Sequence, residues 1–415
     1  MKQVFGLVTL LLALLSQPGF SQDTQWRGPD RSGIFPETGL LQEWPENGPE
    51  IVLKVGDLGK GYSTPVLDSE VIYLTGKEDE DDYLYAIDMA GNINYKVKYG
   101  RSWENSYPDT RSTPTIQEDR LYVISGMGEV VCINKNSGEI IWSVDAHKKY
   151  AGEFHKWGVA ESPLLIDEKV IYTSGGDKTS VVAFNKMNGE EIWATESVGG
   201  ARTYVSPVIY KRGNVRQILA STSDYVIGID PETGSVSWKY YYLREKQEGV
   251  RQVTISPNSA IMKGDEIFIS KGYNSYGVML KVAEDGTSVS EKWRTEVLDT
   301  HHGHYVNVGD YIYGSNWLNN SKGNWVCLNW ETGEVMYEEE WITKGPIAFA
   351  DGKLYCWEER TGNFALVNPT PEKFDIISSF KIEDGSGPHW AHPYIKDGKL
   401  LLRHGEVLMV FNIKS

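Results

Sequence analysis

Three of the eight histidines fall in one short string, His301-His302-Gly303-His304, and two more follow at His389 and His392. Imidazoles at i and i+2 on an extended strand point to one side and can share a metal ion. His302, His304 and His389 are therefore the candidate metal ligands, with Glu161 or Asp109 as the carboxylate that would complete a set. Their spacing matches no recognised metal signature, and plain polar surface is the competing reading. Elsewhere, short clusters mix cations, acids and aromatics: Lys60 and Tyr62; Trp103, Tyr107, Asp109 and Arg111; His155, Trp157 and Glu161; Arg202 and Tyr204; Arg251 and Thr254; Lys344; and Trp390. The chain has no Gly-x-Ser-x-Gly, no His-Glu-x-x-His and no phosphate-binding loop. The acidic run from Glu78 to Asp82 lacks the alternating ligands and central glycine of a calcium loop and reads as a solvated hairpin tip.

The elements that must carry these clusters show themselves as a repeat. CINKNSGEIIW runs from Cys132 to Trp142, AFNKMNGEEIW from Ala183 to Trp193, GIDPETGSVSW from Gly228 to Trp238 and CLNWETGEVMY from Cys327 to Tyr337. AIDMAGNINY, from Ala86 to Tyr95, and a weaker copy from Lys281 to Trp293 extend the series. A spacing of about 45 to 50 residues is the period of a four-stranded propeller blade. The second unit contains four strand-like runs, Thr113 to Ile116, Arg120 to Ser125, Val130 to Asn134 and Glu139 to Val144. Each is rich in Val, Ile, Tyr or Trp and bounded by turn residues. The tight turn Asn134 to Gly138 needs a glycine for positive φ, and the tryptophan four residues later belongs between neighbouring blades.

Most units open on a Ser-x-Pro step or a variant of it, and the openings near Pro65, Pro114, Pro163, Pro207, Pro257, Tyr305, Pro346 and Pro393 count eight units. Proline cannot donate to a strand ladder, so the opening strand is the innermost, beside the channel. The last unit stops after its third strand, and an orphan strand, Glu50 to Val55, stands near the other end. The expected fold is all-β: an eight-bladed propeller of four-stranded antiparallel blades, closed by the N-terminal strand, which leaves no free edge. Residues 22–415 form one domain, with 22–49 expected to wrap the outside of the ring. The loops entering each innermost strand then converge on one mouth of the channel. The second-to-third-strand loops join them there and bring Asn316, Trp317, Asn319, Asn320, Trp325 and Arg360.

Lys2, an apolar stretch from Val4 to Leu15, and small residues at Gly19 and Ser21 read as a signal peptide over residues 1–21. The protein is expected to be exported, periplasmic or extracellular, with no transmembrane segment. No cysteine follows the apolar stretch, so no lipid anchor is expected. A formal net charge of −16 argues against nucleic acid as a partner. Cys132, Cys327 and Cys356 are expected to be buried thiols.

The blade motif Ala-x-Asp-x-x-x-Gly-x-x-x-Trp resembles that of pyrroloquinoline-quinone (PQQ)-like propellers. Gln25-Trp26-Arg27-Gly28-Pro29-Asp30-Arg31-Ser32-Gly33, with Glu43-Trp44-Pro45, is similar to the N-terminus of exported bacterial members. The family includes quinoprotein alcohol dehydrogenases and a scaffold of the outer-membrane assembly machine. The dehydrogenases carry a vicinal disulfide, for which this chain has no cysteine pair, and the scaffold has an N-terminal cysteine that is absent here. The leading expectation is a non-catalytic module that binds a small molecule or a protein at the mouth through Arg111, Trp157, Glu161, Arg202, Tyr204, Arg251, His302, His304, Lys344, His389, Trp390 and Asn316. Cations and aromatics in a concave site favour anionic or polyhydroxylated ligands. One alternative is a PQQ-dependent oxidoreductase, with Arg111, Arg202, Arg251 and Lys344 on the quinone carboxylates, Trp157 or Trp390 stacking, and Glu161, Asp109 and Asn316 on a divalent ion. The other is a metal-dependent hydrolase built on the histidines.

Overall fold

A computed structural model describes residues 24–243 and 254–415. The expected signal peptide and Arg251 lie outside the described residues. The chain forms eight antiparallel blades around a central channel. Blade two contains Thr115–Gln117, Arg120–Ile124, Glu129–Asn134 and Ile140–Asp145, each within two residues of the sequence expectation. Blade eight takes three strands from the C-terminus, Tyr394–Lys396, Lys399–His404 and Val407–Asn412. Its fourth is Glu50–Val55, antiparallel to Val407–Asn412, so the ring closes as the orphan strand predicted.

The repeated glycine and aromatic explain one another across blade boundaries. In the turn of blade two, Asn134 Oδ1 accepts from the Asn136 and Ser137 amides, and Gly138 takes φ +74°. A Cβ on Gly138 would meet the Tyr95 ring of blade one at 2.6 Å. Gly189 receives Trp142, and Gly234 receives Trp193, each at 2.7 Å by the same measure. The docked indole also donates to the turn that it covers: Trp142 Nε1 to Lys186 O at 3.0 Å and Trp193 Nε1 to Pro231 O at 3.0 Å. Blades one, two and three thus bury the large ring on the next blade's turn, which a lone blade cannot do, whereas Trp238 of blade four lies over Gly228 of its own blade.

Within residues 22–49, the part nearest the N-terminus does not run around the outside. Thr24 bridges antiparallel to Ile116 on the innermost strand of blade two, and Ile34–Phe35 pairs in parallel with Phe349 and Ala350 on that of blade seven. Residues 24–35 thus enter the channel and return as a plug. An innermost strand has a ladder partner on one side only, so its other carbonyls face the channel and need donors. Two buried arginines supply them. Arg27 donates to Ile347 O at 3.2 Å and Tyr305 O at 2.7 Å. Arg31 donates to Ser162 O at 3.1 Å, Pro207 O at 3.0 Å and Pro163 O. The chain then crosses blade seven, where Trp44 packs on Tyr355, Phe364 and Phe380, before joining blade eight.

Candidate functional site

The plug makes the mouth a blind cavity of about 360 Å³. Trp26, at the tip of the plug, lines it and meets His304 and His392 edge-on at centroid distances of 4.8 and 5.5 Å. The loops entering the innermost strands bring Tyr62, Tyr107, Arg111, Lys156, Trp157, Tyr204, His301, His302, His304, Trp390 and His392 to the wall. Tyr273 and Asn320 arrive from second-to-third-strand loops. Seven Trp or Tyr rings, four imidazoles and two cations line the space, and among the described residues no carboxylate does.

The four imidazoles differ in what holds them. The Ser259 amide donates to His304 Nε2 at 3.1 Å, which places the proton of a neutral ring on Nδ1. That proton faces His302 O at 3.2 Å and His392 Nε2 at 3.1 Å. Burial, with the Arg27 charge, pushes both His304 and His392 well below the usual imidazole range. His304 also adopts φ +59°, unusual for a residue with a side chain. This pair is therefore built into the floor. His302 is half-buried and meets the Trp390 ring edge-on at 4.6 Å. Among the described residues its ring nitrogens have no hydrogen-bond partner. Burial and the neighbouring His301 and Lys344 charges keep it neutral.

Behind the wall stands Glu359, from the second-to-third-strand loop of blade seven. Lys344 Nζ lies 2.9 Å from its Oε1, while Trp390 Nε1 donates to its Oε2 at 3.1 Å. His301 Nδ1 is 3.4 Å from the same Oε2, and His301 Nε2 is 3.0 Å from the Tyr273 hydroxyl. Burial alone would raise the Glu359 carboxyl, but His301 and Lys344 outweigh it and hold it below the usual range. Donor atoms of His301, His302 and Glu359 lie within 4.8 Å of one another, close enough for one metal ion to bridge. The Lys344 ammonium already occupies the cationic position beside this carboxylate.

Of the residues expected at the mouth, Arg111, Trp157, Tyr204, His302, His304 and Trp390 line the cavity. Glu161, Arg202, Lys344, His389 and Asn316 do not. Glu161 and Arg202 are fully buried, their charges paired at 3.1 Å, and Glu161 also accepts from the Thr173 amide. Asn316 donates to Glu338 at 2.8 Å. His389 stacks on His404 at 3.7 Å, and burial with that neighbour lowers it to about 4. His302, His304 and His389 are thus held in three different settings. Glu161, Arg202, Lys344 and His389 seal seams between blades and Asn316 braces its own blade, roles that residue type alone does not separate from lining a mouth. Trp26, Tyr273 and Glu359 went unrecognised. Trp26 lies in a segment assigned elsewhere, while Tyr273 and Glu359 occupy a loop position whose importance was read only in blade six and at Arg360.

The chain is thus a closed propeller scaffold with a blind, aromatic- and cation-lined cavity on one face. Residues 100–339, more than half of the chain, match the PQQ_2 family, described as outer membrane protein assembly factor BamB, and the chain belongs to this family of PQQ-like propellers. It is 28% identical over 128 residues to outer membrane protein assembly factor BamB of Shewanella oneidensis, covering 31% of this chain and 28% of that one. It is 32% identical over 89 residues to quinoprotein alcohol dehydrogenase PedH of Pseudomonas putida, covering 20% of this chain and 14% of that one. The matches thus span well under half of either relative. Among solved structures, BamB of Moraxella catarrhalis superposes with a TM-score of 0.64 at 13% identity, covering 88% of this chain and 99% of that one. A quinohemoprotein alcohol dehydrogenase from Comamonas testosteroni gives 0.68 at 11% identity, covering 96% and 82%. Family membership places the protein among exported, periplasmic proteins, as expected. No helix among the described residues is long and apolar enough to cross a membrane.

The aromatic walls and Arg111 suit a flat carboxylated molecule such as the quinone. Of the ion ligands expected, Glu161 and Asn316 are engaged elsewhere and Asp109 acts on Tyr62 and Arg111, while the His301, His302 and Glu359 cluster already faces the Lys344 ammonium. The donor set therefore does not fit the quinone and ion together.

Proposed function

We propose that this protein is an exported binding module whose blind mouth takes a small anionic ligand with sugar-like hydroxyls. The observation that carries the reading is the lining: seven aromatic rings with Arg111 and Lys156 and, among the described residues, no carboxylate, on a chain of net charge −16. A cationic concavity on an acidic protein concentrates anions locally, while the rings offer flat faces for a pyranose or an aromatic group. Arg111 is braced by donating to the Trp157 and Tyr107 carbonyls, which aims its head. The neutral His302, whose ring lines the cavity, is available to ligand oxygens.

Titration of tryptophan fluorescence and calorimetry with D-galacturonate and D-galactose tests this reading. The acid is expected to bind more tightly than the neutral sugar. Arg111→Ala should weaken it by roughly 10- to 100-fold, the equivalent of one charge-assisted hydrogen bond. Equal affinity for both sugars, or an Arg111→Ala variant that binds the acid as wild type does, would refute it.

A further inference from the structure

We infer that Tyr273, His301 and Glu359 form a nucleophile relay at the wall of the mouth, in which His301 takes the phenolic proton of Tyr273 and Glu359 orients the imidazole. The inference rests on the mouth being open to small ligands, as the proposed function requires. Three blades contribute one residue each: Tyr273 from the second-to-third-strand loop of blade five, His301 from the loop entering blade six, and Glu359 from blade seven. The order is hydroxyl, imidazole, carboxylate: the hydroxyl is 3.0 Å from one imidazole nitrogen and the carboxylate 3.4 Å from the other, and because burial raises the Tyr273 phenol its proton leaves only as His301 takes it. The second distance is long for a hydrogen bond, a looseness common in unliganded catalytic pairs. The carboxylate is fixed by Lys344 and Trp390, which leaves His301 Nδ1–H as the donor to Glu359 and Nε2 as the acceptor for Tyr273.

Two features hold the Tyr273 ring in place. It adopts φ +67° and is followed by Asn274 at φ +62°, two consecutive left-handed residues with side chains. Such conformations cost free energy and gather where a side chain must be held in a particular place. The ring is also clamped, near-parallel to Trp157 at 6.3 Å, tilted on Trp317 at 5.3 Å and edge-on to His301 at 5.1 Å.

The chemistry that this arrangement supports is acyl transfer from a small ester. The Tyr273 oxygen attacks the ester carbonyl and a new C–O bond forms while the phenolic proton passes to His301 Nε2. The ester C–O bond then breaks, and the leaving alkoxide recovers that proton. Water, deprotonated by His301, releases the acid and restores the phenol. An ester carrying a carboxylate would place its charge on Arg111 or Lys156.

The test uses the folded mature protein and p-nitrophenyl acetate, whose aromatic leaving group suits the cavity. A burst of about one equivalent of p-nitrophenolate is expected, with the acetyl group mapped to Tyr273 by mass spectrometry. Tyr273→Phe, which keeps the ring packing, should lose the burst. His301→Gln should slow it by roughly 100-fold or more, the usual worth of general-base assistance. Melting temperatures of both variants show that they are folded. Acetylation confined to lysines, or wild-type labelling of Tyr273 in His301→Gln, would overturn the relay. Galacturonate binding is measured in parallel. A protein that binds the acid but does not label at Tyr273 removes the relay and leaves the binding site. One that labels at Tyr273 without binding the acid removes the ligand class and keeps the relay.

Discussion

Replacing Arg31 by methionine should show how much the channel plug contributes to the ring. The guanidinium is 2% exposed and joins three blades at once. It donates to Ser162 O and Pro163 O of blade three, Pro207 O of blade four and Thr115 Oγ1 of blade two. Its Nε also holds Gln25 Oε1 within the plug at 2.7 Å. Methionine keeps much of the volume and removes every donor. Pro163 O retains the Thr115 hydroxyl at 2.6 Å, so the main losses are at Ser162 O and Pro207 O. A buried acceptor stripped of its donor costs about 1–3 kcal/mol, so the two carbonyls together cost about 2–6 kcal/mol. Relief of the cost of burying a cation offsets part of this, leaving an expected loss of about 3 kcal/mol. In a domain of this size that lowers the melting temperature by on the order of 5 °C. Differential scanning calorimetry measures the stability loss, and galacturonate titration reports on the cavity, because a loosened plug displaces Trp26 from its floor. A loss under about 0.5 kcal/mol, with ligand binding intact, would mean that water satisfies those carbonyls and that the plug is not a clamp.

Four further outcomes follow from the same structure. Trp142→Ala should cost about 3–5 kcal/mol in equilibrium unfolding, since the ring fills the seam against Gly189 of the next blade; a loss under about 1 kcal/mol would place it in solvent. His302→Ala should change stability by less than about 0.5 kcal/mol yet weaken ligand binding. His304→Ala should destabilise the fold, because it strips the Ser259 amide and His392 of their partner; the reverse pattern in thermal shift and titration would contradict the two assignments. Burial raises the Asp82 carboxyl to about 7, so the folded state binds more protons than the unfolded one between about 4 and 7. Its contribution is full below that window and is lost as pH rises through 7, and Asp82→Asn should flatten that part of the stability-against-pH curve; an unchanged slope would count against it. Deleting residues 23–55 should abolish cooperative unfolding, because blade eight loses its outer strand and the channel loses its plug; a deletion variant that melts like the full chain would refute this closure.

The eight-unit count, the strands of blade two and the closing strand Glu50–Val55 were all legible in the sequence. The reason is that a blade is a local object. The turn at Asn134 to Gly138 needs its asparagine and glycine whatever lies nearby, and the tryptophan four residues on needs a neighbour's turn to cover it. Both requirements recur with the blade and so appear as a repeat. The residues of the mouth follow no such period. Arg202 and Arg111 both precede innermost strands and are alike in type, yet one is buried against Glu161 and the other lines the cavity. What separates them is which side chain from the adjoining blade reaches each, and that is set by packing between segments tens of residues apart. The plug is the extreme case, since Arg27 and Arg31 read as a motif of the N-terminus while their acceptors include five carbonyls on four innermost strands or loops that only the closed ring brings together. Tyr273, His301 and Glu359 are likewise separated by 28 and 58 residues and meet only because blades five, six and seven stand side by side. Local chain chemistry thus determined the blade and its number, and closure of the ring decided which polar side chains face the cavity and which face each other.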